Sequence, residues 1–282
     1  MTGFGERLRS AMAARGQLCV GIDPHEQLLH AWGLDATAGG AREFGLRVVE
    51  AAAGRVAVVK PQVAFFERYG SAGFAALEDV LVAARAAGLI VIADAKRGDI
   101  GSTNDGYAAA WLMPGAPLEA DALTVSPYLG VGALSGVIEV ALAHGKGVFV
   151  LAATSNPEAG ALQRARVEGG PQTVAREVVR EVSALAGPRT PDGEWSSIGF
   201  VIGATVDRAK TGLPDVLTPV APILAPGFGA QGAAMSDLAG IFDESAPSVL
   251  ASASRSVLHA GPDGLEAAID AHNRELKAST HG

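Results

Sequence analysis

Short apolar runs alternate with longer amphipathic stretches along this chain. The runs are QLCVGID (17–23), RVAVVK (55–60), LIVIAD (89–94), DALTV (121–125), GVFVLA (147–152), IGFVIG (198–203), PILAPG (222–227) and PSVLAS (247–252). Most are apolar at successive rather than alternate positions. Continuous runs of roughly four to eight such residues fit strands buried on both faces, as in a parallel sheet covered by helices. Between them lie helical patterns. Residues 71–87 (SAGFAALEDVLVAARAA) place Phe74, Leu77, Leu81 and Ala84 on one face, offer Ser71 as a cap and stop before Gly88. Residues 132–144 and 171–186 read the same way. Strand and helix alternating eight times predicts a (β/α)₈ TIM barrel, an α/β fold.

The gap between the fifth and sixth runs is the longest. It holds SNPEAGALQRARVEGG, the 171–186 helix and the polar turn GPRTPDGEW. We read residues 1–282 as a single barrel domain with an elaborated segment at about 155–197, and expect the tail after about 273 to fray.

Composition narrows the class. Hydrophobic residues make up 49% of the 282 and charged residues 18%, enough for a large core and too apolar for a disordered chain. The single cysteine, Cys19, excludes an intrachain disulfide and fits a cytoplasmic setting. No secretory pattern opens the chain, and no stretch supplies the ~20 apolar residues of a membrane span. The formal net charge of −8, with no basic run, argues against nucleic-acid binding. An anionic substrate then needs a locally positive pocket. His25, His30, His144, His259, His272 and His281 show no metal-ligand spacing.

Barrel enzymes work at the C-terminal ends of their strands, so the polar residues closing each run are the candidates. The first run ends in Asp23 and the second in Lys60. The third ends in Asp94 and continues Ala95, Lys96, Arg97, Gly98, Asp99. Asp94 and Lys96 are two apart and point the same way in extended chain. Lys60 ends the adjacent strand. Ammonium and carboxylate groups converging there would keep one another charged. The fifth run leads into Thr154, Ser155 and Asn156. The seventh leads into PGFGAQG, and the eighth into Ser254 and Arg255. The last two loops are a frequent phosphate site in barrels, where glycines let backbone N–H groups approach an anion. Arg255 offers a bidentate contact and Gln231 a neutral donor.

The segment Asp94-Ala95-Lys96-Arg97-Gly98-Asp99-Ile100-Gly101-Ser102-Thr103 resembles the D-x-K-x-x-D-I-x-x-T signature of the orotidine 5′-phosphate decarboxylase family. VGIDPH (20–25), VVKPQVAFFE (58–67), VSPYLG (125–130), TSNP (154–157), APGFGAQG (225–232) and SASRSV (252–257) match in order across the barrel. The long 155–197 segment is similar to that of the longer, bacterial-type branch.

The resemblance implies decarboxylation of orotidine 5′-phosphate to uridine 5′-phosphate in de novo pyrimidine biosynthesis, with no metal or organic cofactor. It implies that Lys96 protonates C6 after carbon dioxide leaves, that Asp94 lies beside the scissile carboxylate, and that Lys60 and Asp99 complete the charged network. It implies a homodimer in which Asp99 and Thr103 reach the neighbouring subunit's site. Asp23 would contact the ribose, Ser155 the pyrimidine amide (with Thr154 an adjacent candidate), and Gln231 and Arg255 the phosphate, Gln231 from a closing loop. Ser254 departs from the shorter members of the family, in which glycine is expected before Arg255.

Three other readings compete. A metal-dependent sugar-phosphate enzyme, such as a hexulose-phosphate synthase, shares D-x-K-x-x-D but carries a glutamate for magnesium where this chain has Lys60. A Schiff-base aldolase needs a lysine of lowered pKa, and neighbouring carboxylates push the other way. A non-catalytic nucleotide-binding barrel has no use for the intact cluster.

Overall fold

The computed structural model describes residues 2–229 and 232–280; Gln231 and His281 lie outside the described residues. Eight strands close into a barrel in chain order, each parallel to its neighbours. They are β1 (Leu18–Ile22), β2 (Val58–Pro61), β3 (Ile90–Arg97), β4 (Ala122–Val125), β5 (Gly147–Ala153), β6 (Ile198–Ile202), β7 (Ile223–Pro226) and β8 (Val249–Ala253). Each lies within an expected run or overlaps it, and β1, β2, β4, β6 and β8 are buried at every position. β3 runs past the expected end at Asp94 as far as Arg97.

The helices are α1 (Phe4–Arg15), α2 (Glu26–Ala31), α3 (Ala38–Ala52), α4 (Ala64–Glu67), α5 (Gly70–Ala86), α6 (Gly101–Leu112), α7 (Ser135–Ala143), α8 (Gly160–Gln163), α9 (Val174–Ala186), α10 (Arg208–Thr211), α11 (Leu238–Phe242), α12 (Arg255–Leu258) and α13 (Leu265–Thr280). α3 starts on a Thr37 cap and α9 on a Thr173 cap, each hydroxyl accepting a backbone N–H of the first turn.

Two apolar layers result. Outside the barrel, residues such as Phe44, Val48, Leu77, Leu81 and Val179 pack helices onto strands. Inside it, Cys19, Val58, Ile92, Phe149, Leu224 and Leu250 form a second cluster, closed at the N-terminal end by Phe4, Leu8 and Met12 of α1. Phe4 meets Phe149 edge to face, and a Cβ on Gly147 would lie 2.3 Å from the Phe4 ring, so glycine there makes room for the plug. The apolar floor leaves chemistry to the opposite, C-terminal mouth.

Three local expectations are corrected. Ser71 does not cap α5, because the helix begins one residue earlier after Tyr69, whose side chain makes no cap bond. Phe74 is only partly buried, and Gly73, Ala76 and Val80 join Leu77, Leu81 and Ala84 on the covered face. The tail does not fray after 273. α13 continues to Thr280, since Leu265, Ile269 and Leu276 form one buried stripe against the barrel.

The 155–197 segment carries two 3₁₀ turns, α8, an isolated bridge between Arg166 and Thr173, and α9. α9 sets Ala175, Val179, Val182 and Ala186 into the outer core layer. Among the described residues no helix is long and apolar enough to cross a membrane, and no group of three or more His, Cys, Asp or Glu side chains could hold a metal ion.

Candidate active site

A cavity of about 320 Å³ opens at the C-terminal mouth. Its floor is a charged trio. Lys60, near the end of β2, places Nζ 2.8 Å from Asp94 Oδ2. Lys96, two residues beyond Asp94 on β3, places Nζ 2.6 Å from Asp94 Oδ1. The Lys60 and Asp94 side chains are 7% and 10% exposed, whereas Lys96 is 46% exposed, so Lys96 is the ammonium presented to the cavity.

The two lysines and the carboxylate fix one another's charge. Burial pushes the Asp94 pKa up, but the Lys60 and Lys96 ammonium groups outweigh it and hold the carboxyl well below its ordinary range. Burial likewise lowers the Lys60 pKa, and the Asp94 and Asp23 carboxylates more than reverse this, leaving it above that of an ordinary lysine. Beneath them the buried Cys19 thiol is pushed up to about 12, chiefly by burial, and stays neutral.

Lys96 is one of two described non-glycine residues with positive φ, at 48°. Left-handed backbone is disfavoured for a residue with a side chain and concentrates at functional positions. It follows from the irregular edge of β3. Ala93 pairs with Leu123 and Arg97 with Val125, so the register shifts across the intervening residues. Such irregularities re-aim side chains, and here Asp94 and Lys96 converge on one point.

The remaining candidates distribute around the rim. Asp23, just beyond β1, lines the cavity and has Oδ1 buried without a protein partner. Thr154 and Ser155 follow β5 and line the cavity too. Thr154 is held by an amide clamp: its N–H donates to Gln163 Oε1 at 2.9 Å, and its Oγ1 accepts from Gln163 Nε2 at 3.0 Å. The same hydroxyl donates to Asn156 Oδ1 at 2.7 Å. Arg255 opens α12 and lines the cavity, as do Gly227 and Phe228. Gly227, Gly229 and Gly232 all have positive φ, as expected of a loop that must bring backbone close to a ligand.

Asp99 and Thr103 are not among the residues lining this chain's cavity. The Asp99 N–H donates to Asn104 Oδ1, and its own carboxylate accepts from the Ile100 N–H. Thr103 is exposed on α6. Within one chain the cluster is therefore a trio.

Two polar residues at the trio escaped sequence reasoning. Gln62 donates from Nε2 to Asp94 Oδ2 at 3.2 Å. Thr124, fully buried on β4, touches both Asp94 and Lys96. A signal existed for each. Gln62 stands two residues beyond Lys60 in extended chain, and Thr124 is a hydroxyl inside an apolar strand, where a polar group needs a partner.

Fold and site together define a (β/α)₈ barrel enzyme with an ammonium–carboxylate cluster at the strand ends. The chain belongs to the orotidine 5′-phosphate decarboxylase / HUMPS family, whose model matches residues 16–270. It is 53% identical, over the full length of both chains, to the orotidine 5′-phosphate decarboxylase of Salinispora arenicola. A crystal structure from Streptomyces avermitilis, described as a candidate orotidine 5′-phosphate decarboxylase, superposes with a TM-score of 0.94 at 46% identity, covering 100% of this chain and 97% of that one. The Leishmania donovani OMP decarboxylase superposes at 0.77 with 30% identity, covering 100% of both.

Proposed function

We propose that this chain decarboxylates orotidine 5′-phosphate to uridine 5′-phosphate, a step of de novo pyrimidine biosynthesis, with no metal or organic cofactor. The observation that carries the reading is the trio: one exposed ammonium, Lys96, held 2.6 Å from a buried, ionised carboxylate that a second, buried ammonium balances. Full-length identity of 53% to a decarboxylase of that specificity supports the substrate.

The chemistry follows from the charges. The bond between C6 and the carboxylate breaks, carbon dioxide leaves, and the electron pair stays on C6, where no adjacent π system accepts it. The Lys96 ammonium stabilises that pair and gives C6 its proton, then regains one from water. Asp94 orients Lys96 and stands where the substrate carboxylate would be crowded. Asp23 takes the ribose hydroxyls, Ser155 the pyrimidine amide, and Arg255 with Gln231 the phosphate. Grip on the distant phosphate favours a closed loop and an excluded-water site. A magnesium-dependent sugar-phosphate reaction fits less well, because the Lys60 ammonium stands 2.8 Å from Asp94, where it repels a cation.

The enzyme is a homodimer in this reading. Ile100, Tyr128 and Leu129 are 62%, 76% and 52% exposed. Asn104 joins their two loops, donating to Asp99 O and Ala133 O. An apolar rim beside Asp99 and Thr103 suits a partner that receives those two side chains.

The test follows the ultraviolet absorbance of orotidine 5′-phosphate with purified protein in excess chelator. Rapid conversion to uridine 5′-phosphate is expected. No conversion by folded protein overturns the reading.

A further inference from the structure

Thr124 is fully buried on β4, and its hydroxyl meets the reactive strand at two points. The Lys96 N–H donates to Thr124 Oγ1 at 2.9 Å, and Thr124 Oγ1 lies 3.0 Å from Asp94 Oδ1. The Ala93 carbonyl is further away, at 3.5 Å.

The donor and acceptor roles are forced. A backbone N–H only donates, so the Thr124 oxygen accepts from Lys96. An ionised carboxylate only accepts, and at 3.0 Å it is nearer and more strongly basic than the Ala93 carbonyl at 3.5 Å, so the single hydroxyl proton goes to Asp94. Both contacts fall where the β3–β4 register is broken. Ala93 pairs with Leu123 and Arg97 with Val125, so four steps on β3 answer two on β4. A regular ladder would satisfy the Lys96 N–H with a β4 carbonyl. Here a side chain does so, at the residue whose backbone is left-handed.

We propose that Thr124 is a positioning residue for the decarboxylation: its one hydroxyl pins the Lys96 backbone and the Asp94 carboxylate together, and so sets the direction of the Lys96 ammonium toward C6. The inference rests on the proposed decarboxylase reading. Thr124 lies behind Asp94, outside the residues lining the cavity, so it acts through its two partners and not on the substrate. Binding of nucleotide depends on Asp23, Ser155 and Arg255 and is largely independent of it. Turnover depends on where the Lys96 Nζ points, and a displacement of about 1 Å at a reacting group can cost on the order of a hundredfold in rate.

The experiment compares Thr124→Val, which keeps the branched shape without the hydroxyl, with Thr124→Ser, which keeps the hydroxyl. For each, kcat and KM on orotidine 5′-phosphate are measured beside uridine 5′-phosphate binding and a thermal melt. Thr124→Val is expected to bind uridine 5′-phosphate within about threefold of wild type and to lose roughly 10- to 100-fold in kcat. Thr124→Ser is expected to recover most of that loss. Should Thr124→Val not fold, Thr124→Ala removes the same hydroxyl without pressing a methyl on the carboxylate and carries the same expectation. Unchanged kcat in the variant lacking the hydroxyl, or a Thr124→Ser variant as slow as it, overturns the proposal. An inactive wild type defeats the decarboxylase reading itself, whereas an active wild type matched by Thr124→Val defeats this inference alone.

Discussion

The hydroxyl oxygen of Ser254 lies 1.9 Å from the point where a side chain on Gly21 would begin. Gly21 is on β1 and Ser254 follows β8, its neighbour across the closure of the barrel. Glycine is expected before Arg255 in the shorter members of the family; this chain has Ser254 there, facing a glycine on β1. Glycine at 21 leaves the room that the Ser254 hydroxyl fills.

Gly21→Ala is therefore expected to displace Ser254 and with it Arg255, raising KM for orotidine 5′-phosphate several-fold. The double variant Gly21→Ala with Ser254→Gly should restore KM, since the pair shares one contact. Equal KM values in the single and double variants would show that the two positions do not couple.

Lys96→Ala is expected to fold and to lose at least about a thousandfold in turnover, because both charge stabilisation and the proton go with the ammonium. Asp99→Ala should be nearly as inactive. Mixing the two inactive chains is expected to regain activity, since a mixed pair in the proposed dimer would hold one site with an intact Lys96 and an intact Asp99 from its neighbour. Kinetic assay after subunit exchange reads this, and no regain would sink the shared site.

Arg255→Ala should weaken use of orotidine 5′-phosphate by about 10- to 100-fold in kcat/KM, the range of a charge-assisted hydrogen bond. A phosphate-free analogue should be little affected. Equal losses on the two substrates would remove Arg255 from the phosphate site.

Thr154 and Ser155 are adjacent candidates for the pyrimidine contact, and both line the cavity. The Thr154 hydroxyl is committed in both directions, to Gln163 and Asn156. Ser155→Ala is expected to raise KM more than Thr154→Val does, because the family resemblance assigns the pyrimidine amide contact to Ser155. The reverse order would move the pyrimidine contact to Thr154.

Asp94 also shapes stability against pH. Its folded pKa is depressed by Lys60 and Lys96 against the cost of burial, so its contribution is complete above the unfolded carboxylate value of about 3.9 and is lost as pH falls toward the folded value. Lys60 behaves oppositely. Its raised pKa keeps its contribution complete below about 10.4 and lets it fade as pH rises beyond that. Urea midpoints from pH 6 downward should show wild type and Asp94→Asn converging only below about pH 4. Parallel curves throughout would contradict the pairing.

Much of the site was legible because a barrel places strand ends at one mouth. Once eight runs were counted, Asp23, Lys60, Asp94, Lys96, Thr154, Ser155 and Arg255 had to share that mouth, and all seven line one cavity. Asp99 belongs to the same motif but does not line it, since the chain turns after Arg97 and Asn104 ties the Asp99 backbone into the start of α6. Spacing along a motif does not say where extended chain ends.

The sequence by itself determined the barrel, the order of its strands and the polar residues that close them. Those properties depend on local periodicity and on the position of each residue along its own strand. Only the closed barrel sets the register break between β3 and β4, the left-handed turn at Lys96, the Thr124 and Gln62 contacts to Asp94, and the close approach of Ser254 to Gly21. Each depends on how one strand or its end meets a neighbour, the Lys96 turn through the β3–β4 register break, and the lateral offset between strands is set by packing and hydrogen bonding around the closed barrel. A one-dimensional pattern carries no record of that offset.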